Sequence, residues 1–323
     1  MDRRPSSLLL LPLLLASALA WLSISDYNSS FDGYPDVFLI GAAKGGTTSI
    51  AYFLVNTLKL YVESGGRKEP IFFVNFNDKE FNRYISGFDE EKMRKGDLST
   101  FDGSVQYFQH QDVWMKMKRL YTPECLRKKK FILSLREPIA REVSWFHHYY
   151  GNCLRSSGMD CSDHIGGSGI NDTFHKYVAR LDASPIHQSY YLPNLKSLLE
   201  VISRDQIFIF SFEALVGDDG QDIIDRLLNF LGVESAESSA ALFPQANSAE
   251  KRCGEFCEEE ELHEFLCSDF RHLNQIYSRV NAGLVEFINS DPNRPPSEPV
   301  FRQFAERLSE KCLEADGSLV DFN

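Results

Sequence analysis

Positive charge is in short supply: 34 lysines and arginines stand against 46 aspartates and glutamates, a formal net charge of -12. A protein that grips a polyphosphate backbone needs a strong basic face, so no nucleic acid is expected as a partner, although a small local basic site stays possible. Internal repeats are missing, so repeat architectures are not indicated. A zinc-type cysteine pattern is missing too. Cys253-Gly-Glu-Phe-Cys257 supplies one ligand-like pair, but the nearby histidines form no second pair at zinc spacing, and no metal is expected. The seven cysteines, Cys125, Cys153, Cys161, Cys253, Cys257, Cys267 and Cys312, fit structural disulfides in an oxidising compartment. Their odd number leaves at least one unpaired or intermolecular.

What is present begins with 323 residues, enough for one substantial core. Arg3 and Arg4 precede an apolar run from Leu8 to Ile24, which at about 1.5 Å rise per residue reaches the lower limit for spanning a bilayer. The run is read as a signal-anchor with a cytoplasmic N-terminus at residues 1–7, the anchor at 8–24 and a stem at 25–33. The small residues of "ASALA" also suit a cleavable signal peptide, and both readings lead into the secretory pathway. Sequons at Asn28 and Asn171 are compatible with that route. One folded domain is expected over 34–290, followed over 291–323 by a Pro-rich segment and a short amphipathic helix, Val300 to Leu313.

Three short apolar runs, "DVFLIGA", "KKKFILSLREP" and "DQIFIFSFEAL", read as buried strands, each followed by residues at helical spacing. This alternation predicts an α/β, P-loop-NTPase-like three-layer fold, a central parallel sheet flanked by helices. Gly151 to Asn171, rich in Gly, Ser and Asp, reads as a surface loop. Ligands of such sheets bind where the strands end and the helices begin.

At the first such junction, "FLIGAAKGGTTSI", Gly41 and Gly46 have the spacing of a triphosphate-binding loop, yet Thr47 stands where its lysine belongs. The lysine, Lys44, lies inside the loop, and no aspartate ends the second strand to hold magnesium. Backbone amides of Gly45, Gly46, Thr47 and Thr48 still form an anion cradle. A single 5′-phosphate carrying a transferable group suits this loop better than a triphosphate. The second junction, "LREPIAREVSWFHHYY", places Arg136 at a strand end and Ser144 in the next helix, with Arg141 between them. An arginine fork and a hydroxyl can grip a second phosphate; an exposed helical ion pair is the plainer alternative.

Together, "AAKGGTTSI" and "LREPIAREVSWF" resemble the 5′-phosphosulfate loop and 3′-phosphate motif of sulfotransferases that use 3′-phosphoadenosine 5′-phosphosulfate (PAPS). "RKEPIFF" and "FDGSVQYF" are similar to two further elements of Golgi carbohydrate sulfotransferases, especially the heparan sulfate type. The resemblance implies transfer of a sulfuryl group from PAPS to a hydroxyl or amine of a carbohydrate acceptor, in the Golgi lumen, by a membrane-anchored enzyme. It implies Lys44 at the leaving oxygen, Thr47, Thr48 and Ser49 around the 5′-phosphate, and Arg136 and Ser144 at the 3′-phosphate. Glu69 is implied as general base, and Lys251 and Arg252 as a basic loop closing over the nucleotide. His147 and His148 are rival bases, less suitably placed beyond the 3′-phosphate motif. Gly103 and Val105 stand where the family carries lysine and proline, which weakens the inference about the acceptor. Protein tyrosine or a small metabolite is the alternative acceptor, and a nucleotide kinase or a lumenal binding module the rival class.

Overall fold

The computed structural model describes residues 33–60, 66–88, 100–155, 170–181, 188–233, 264–304 and 319–321. The N-terminal apolar run, Asn28, Lys251 and Arg252 lie outside them.

A parallel sheet forms from β1 (Val37–Gly41), β2 (Phe101–Asp102), β3 (Lys130–Leu135) and β4 (Ile207–Ser211), in the order β2-β1-β3-β4. Each long strand alternates its side chains between two apolar layers, which is why the strands read as continuous hydrophobic runs. Phe38, Ile40, Phe131, Leu133, Ile207 and Ile209 face one layer; Val37, Leu39, Ile132, Phe208 and Phe210 face the other. Phe38 and Phe131 stack across neighbouring strands at 5.2 Å. Complete burial of such a ring is worth about 1.5–3 kcal/mol.

The helices follow their apolar stripes onto these faces. α1 (Thr47–Tyr52) continues as a π-turn over Phe53–Thr57 and packs on the second layer. α2 (Asp78–Ser86), α3 (Asp112–Leu120) and α4 (Pro123–Lys128) cover the first. Thr122 caps α4, its hydroxyl accepting from Cys125 N–H at 3.1 Å with proline at the first helical position. α5 (Pro138–Arg155), α6 (Ile170–Leu181) and the later helix Cys267–Val280 share a third apolar cluster through Ile139, Val143, Phe146, Phe174, Val178 and Phe270. α7 (Tyr191–Leu199) returns to the first layer. After β4 come α8 (Phe212–Val216) and α9 (Gly220–Leu231), then the β5 (Glu264–Leu266), α10 (Cys267–Val280), α11 (Leu284–Ser290) and β6 (Leu319–Asp321) segments, with β5 and β6 antiparallel.

Gly151–Asn171, expected as loop, is helical at both ends: α5 runs on to Arg155 and α6 begins at Ile170. The apolar stripe of α5 anchors the helix, and glycine within a helix costs only about 1 kcal/mol. Cys267 is disulfide-bonded. Cys125 is a buried thiol whose Sγ–H donates to the Gly33 carbonyl at 3.7 Å.

The segment after α11 packs inward. Glu298 is buried; its carboxylate accepts from both terminal nitrogens of buried Arg204, at 3.0 and 2.5 Å, and from the Ile209 N–H in β4 at 2.7 Å. Arg204 also donates to the Ile207 carbonyl at 2.8 Å, and Phe301 completes the adjacent core. Of the short helix expected from Val300 to Leu313, Val300–Phe304 adopts no regular structure and residues 305–313 lie outside the described residues.

Candidate active site

The loop 42–46 leaves β1 and enters α1 at the carboxyl edge of the sheet. Its path is dictated by β3. Ala42 N–H donates to the Ser134 carbonyl at 2.7 Å, Ser134 Oγ–H donates to the Gly45 carbonyl at 2.7 Å, and Arg136 Nη1 donates to the Lys44 carbonyl at 3.1 Å. From far along the chain, buried Gln188 accepts the Ala43 N–H on Oε1 at 2.6 Å.

So close an approach requires glycine. A Cβ on Gly45 would lie 2.7 Å from the Ser134 carbonyl oxygen, and one on Gly46 would lie 2.6 Å from the Phe212 ring. Gly46 also has φ of 73°, the left-handed region that glycine occupies without strain. Lys44 has φ of 72°, unusual for a side chain-bearing residue, and is half-buried on the loop. Gly46 is the N-cap of α1, no side chain caps it, and no acidic residue sits in its first turn. No capping side chain therefore competes with an external anion for the Thr47 and Thr48 amides, whereas Gly45 N–H, expected in the cradle, donates to the Ala42 carbonyl at 2.9 Å and Ser49 N–H to the Gly46 carbonyl at 3.0 Å. Thr47 and Ser49 are buried there and Thr48 is exposed.

Arg136 follows β3 directly. Its guanidinium lies 5.0 Å over the Phe212 ring, the same ring that abuts Gly46, so one aromatic residue from the end of β4 supports both anion-facing segments. Tyr191 Oη–H donates to the Arg136 carbonyl at 2.6 Å. Glu137 caps α5, accepting from Ile139 N–H at 3.0 Å and Ala140 N–H at 2.6 Å, while its own N–H donates to Glu213 at 2.8 Å. Burial pushes the Glu137 carboxyl up to about 6. Ser144 is half-buried two turns along α5.

Arg141, between them, turns inward instead. It pairs with Glu142 and donates from Nε to Ser189 Oγ at 2.5 Å; Ser189 Oγ–H donates to Glu142 at 2.8 Å, and Tyr177 Oη–H donates to the other Glu142 oxygen at 2.5 Å. The ion pair is buried rather than exposed, and it locks α5 to α6 and to the start of α7. His147 and His148 are half-buried beside Phe146 and Trp145.

Glu69 lies on a third segment, without regular structure, that is stitched to the end of β2. Gly103 N–H donates to the Lys68 carbonyl at 2.9 Å, and Ile71 N–H donates to Ser104 Oγ at 2.9 Å. Because β2 runs parallel to β1, this brings Glu69 to the same edge as the Lys44 loop. The chain leaving β2 crosses directly over the end of β1, since a Cβ on Gly41 would meet Phe108 Cβ at 2.8 Å. Glu69 is half-buried and pairs with Lys68 at 2.9 Å. Beneath it, buried Asp102 accepts from Ser104, Tyr84 and Tyr107, and burial pushes its carboxyl up to about 6.

The structure thus brings Lys44, Gly45, Gly46, Thr47, Thr48, Ser49, Arg136 and Glu69 to one edge of the sheet, with Ser144 on the helix that follows Arg136. Gln188, Phe212, Ser134 and Asp102 are additions. Phe212 and Ser134 border strand ends, where the rule that flagged Arg136 also points. Gln188 lies in a polar stretch and carries no local signal.

A family model described as "Sulfotransferase domain" matches residues 34–265. Among solved structures, the chain is similar to a sulfotransferase from Alicyclobacillus acidocaldarius, with 20% identity over 76% of this chain and 96% of that one, and a TM-score of 0.43. It is also similar to mouse sulfotransferase SULT7A1 complexed with PAP, with 13% identity over 85% and 96% of the two chains and a TM-score of 0.47. No curated protein sequence matches.

Proposed function

The chain belongs to the sulfotransferase domain family, and from that membership we propose that it moves a sulfuryl group from PAPS to a hydroxyl or amine of a carbohydrate. One observation carries the choice of acceptor. The two segments that resemble carbohydrate sulfotransferases, Arg67–Phe73 and Phe101–Phe108, are hydrogen-bonded to each other beside the Lys44 loop. Their common surface is where an acceptor would meet the donor.

The loop fits the donor's 5′-phosphosulfate. Its glycines let the loop run against the Ser134 carbonyl and the Phe212 ring, and the α1 amides carry no capping side chain. In the reaction the acceptor oxygen or nitrogen forms a bond to sulfur as the bond from sulfur to the 5′-phosphate oxygen breaks. Glu69 takes the acceptor proton. Lys44 offsets the negative charge that grows on the departing oxygen. Thr47, Thr48 and Ser49 surround the 5′-phosphate, and Arg136 with Ser144 holds the 3′-phosphate, with Phe212 stacking keeping the Arg136 fork oriented. Lys251 and Arg252 are proposed to close over the nucleotide. The apolar N-terminal run is proposed as a signal-anchor that places this domain in the Golgi lumen.

Two measurements test the reading. Calorimetry with 3′-phosphoadenosine 5′-phosphate (PAP) should show binding that falls about ten-fold or more in Arg136→Ala, as expected for loss of a charged hydrogen-bond partner. A panel of oligosaccharides, tyrosine peptides and phenols with radiolabelled PAPS should label the oligosaccharides. Label on tyrosine peptide alone would replace the carbohydrate acceptor.

A further inference from the structure

Glu69 sits in a segment without helix or strand, yet a base must be held steadily against its proton. The Asp102 cluster supplies the hold. Both flanks of Glu69 are fastened to the chain leaving β2, through Lys68 C=O to Gly103 N–H and Ile71 N–H to Ser104 Oγ, each at 2.9 Å. Gly103 permits this contact: a Cβ there would lie 3.0 Å from the Lys68 carbonyl oxygen and 2.9 Å from the Phe101 ring. Ser104 is fully buried, and its hydroxyl hydrogen is committed to Asp102 Oδ1 at 2.5 Å, with its N–H on the same oxygen at 2.9 Å. A hydroxyl whose hydrogen is committed presents lone pairs, and these face Ile71 N–H. On the other oxygen, Asp102 accepts from Tyr84 Oη–H at 2.8 Å and Tyr107 Oη–H at 2.9 Å. The Tyr107 oxygen in turn accepts Phe73 N–H at 3.4 Å. The donor directions of the whole cluster therefore follow from one ionised carboxylate.

We propose that Asp102 is a positioning residue for sulfuryl transfer: its carboxylate orients Ser104 and Tyr107, which hold the Glu69 segment at the carboxyl edge of the sheet. The inference rests on the function proposed above. Protonation would turn one Asp102 oxygen into a donor and leave a surrounding donor without its acceptor, loosening the hold. The groups around Asp102 are Ser104, Tyr84 from α2, Tyr107, and Tyr121 from the end of α3; burial raises all three tyrosines well above their usual range, so they stay neutral donors. Asp102, pushed up to about 6, is the member of the cluster that titrates in mild acid.

The test compares the purified protein with Asp102→Asn and Ser104→Ala, using radiolabelled PAPS, an oligosaccharide acceptor from the panel, and PAP calorimetry. Both variants should lose about ten-fold or more in kcat, as for a displaced general base, while PAP affinity stays close to the parent's. The parent's kcat should fall as pH drops through about 6, and that limb should vanish in Asp102→Asn. In a Glu69→Gln background, Ser104→Ala should cost nothing further. Parent-like kcat in a folded variant, joint loss of PAP affinity and kcat, or an unchanged acidic limb in Asp102→Asn would overturn the inference. Should Asp102→Asn not fold, Ser104→Ala decides through the split between kcat and PAP affinity. A parent that neither binds PAP nor transfers sulfate overturns the proposed function and the inference with it; failure of the inference alone leaves the parent active.

Discussion

Lys44 occupies a left-handed backbone position that a glycine would fill more comfortably. Such strain costs on the order of 1–3 kcal/mol and persists only where the surroundings over-determine it, here through the bonds to Ser134, Arg136 and Gln188 on either side. Lys44→Gly should therefore raise the melting temperature, by about 1 kcal/mol of stability, while transfer is lost; thermal melts and the labelled-PAPS assay read the two effects separately. At this scale the sequence was informative for Lys44 and Arg136, because each stands at a strand end beside glycine or proline. It was silent on Gln188, whose hydrogen-bond partner Ala43 is 145 residues away.

Among the elements, α5 carries the second phosphate motif, and two devices hold it. At its start Glu137 caps the first amides. With a folded value raised from 4.5 to about 6, this carboxyl contributes stability that is fully present below about pH 4.5 and is lost as pH rises through about 6. The parent's melting temperature should therefore fall relative to Glu137→Gln across that window, by at most about 2 kcal/mol in stability. Further along, Arg141 and Glu142 form the buried pair. Glu142→Ala would leave a buried guanidinium unpaired, so chemical denaturation should show a loss of about 3–5 kcal/mol. Periodicity made the helix legible. It could not show that Arg141 faces inward while Arg136 and Ser144 remain partly exposed, because the partner hydroxyl of Ser189 comes from another element.

At the scale of the whole molecule, the strand runs announced a parallel α/β sheet, since strands covered on both faces are apolar at nearly every position. β2 escaped notice because only two residues pair, and its partner β1 supplies the apolar surroundings. The stretch beyond residue 290 read as a Pro-rich tail. Its contribution comes from Glu298, a charged residue buried between Arg204, 94 positions earlier, and Arg294 in its own segment. Glu298→Ala should cost about 3–5 kcal/mol in denaturant melts, as expected when one partner of a buried ion pair is removed.

The same glutamate has a second consequence. Among the described residues β4 is an outer strand of the four-stranded sheet, where an uncovered edge would present backbone donors and acceptors to another chain. Glu298 covers the Ile209 donor and Arg204 covers the Ile207 acceptor, two side chains standing in for a fifth strand. A chain ending at residue 290 would uncover the Ile209 donor, and light scattering should find it self-associating more than the full chain. The segment after α11 thus covers an edge donor of β4 as well as bracing the core.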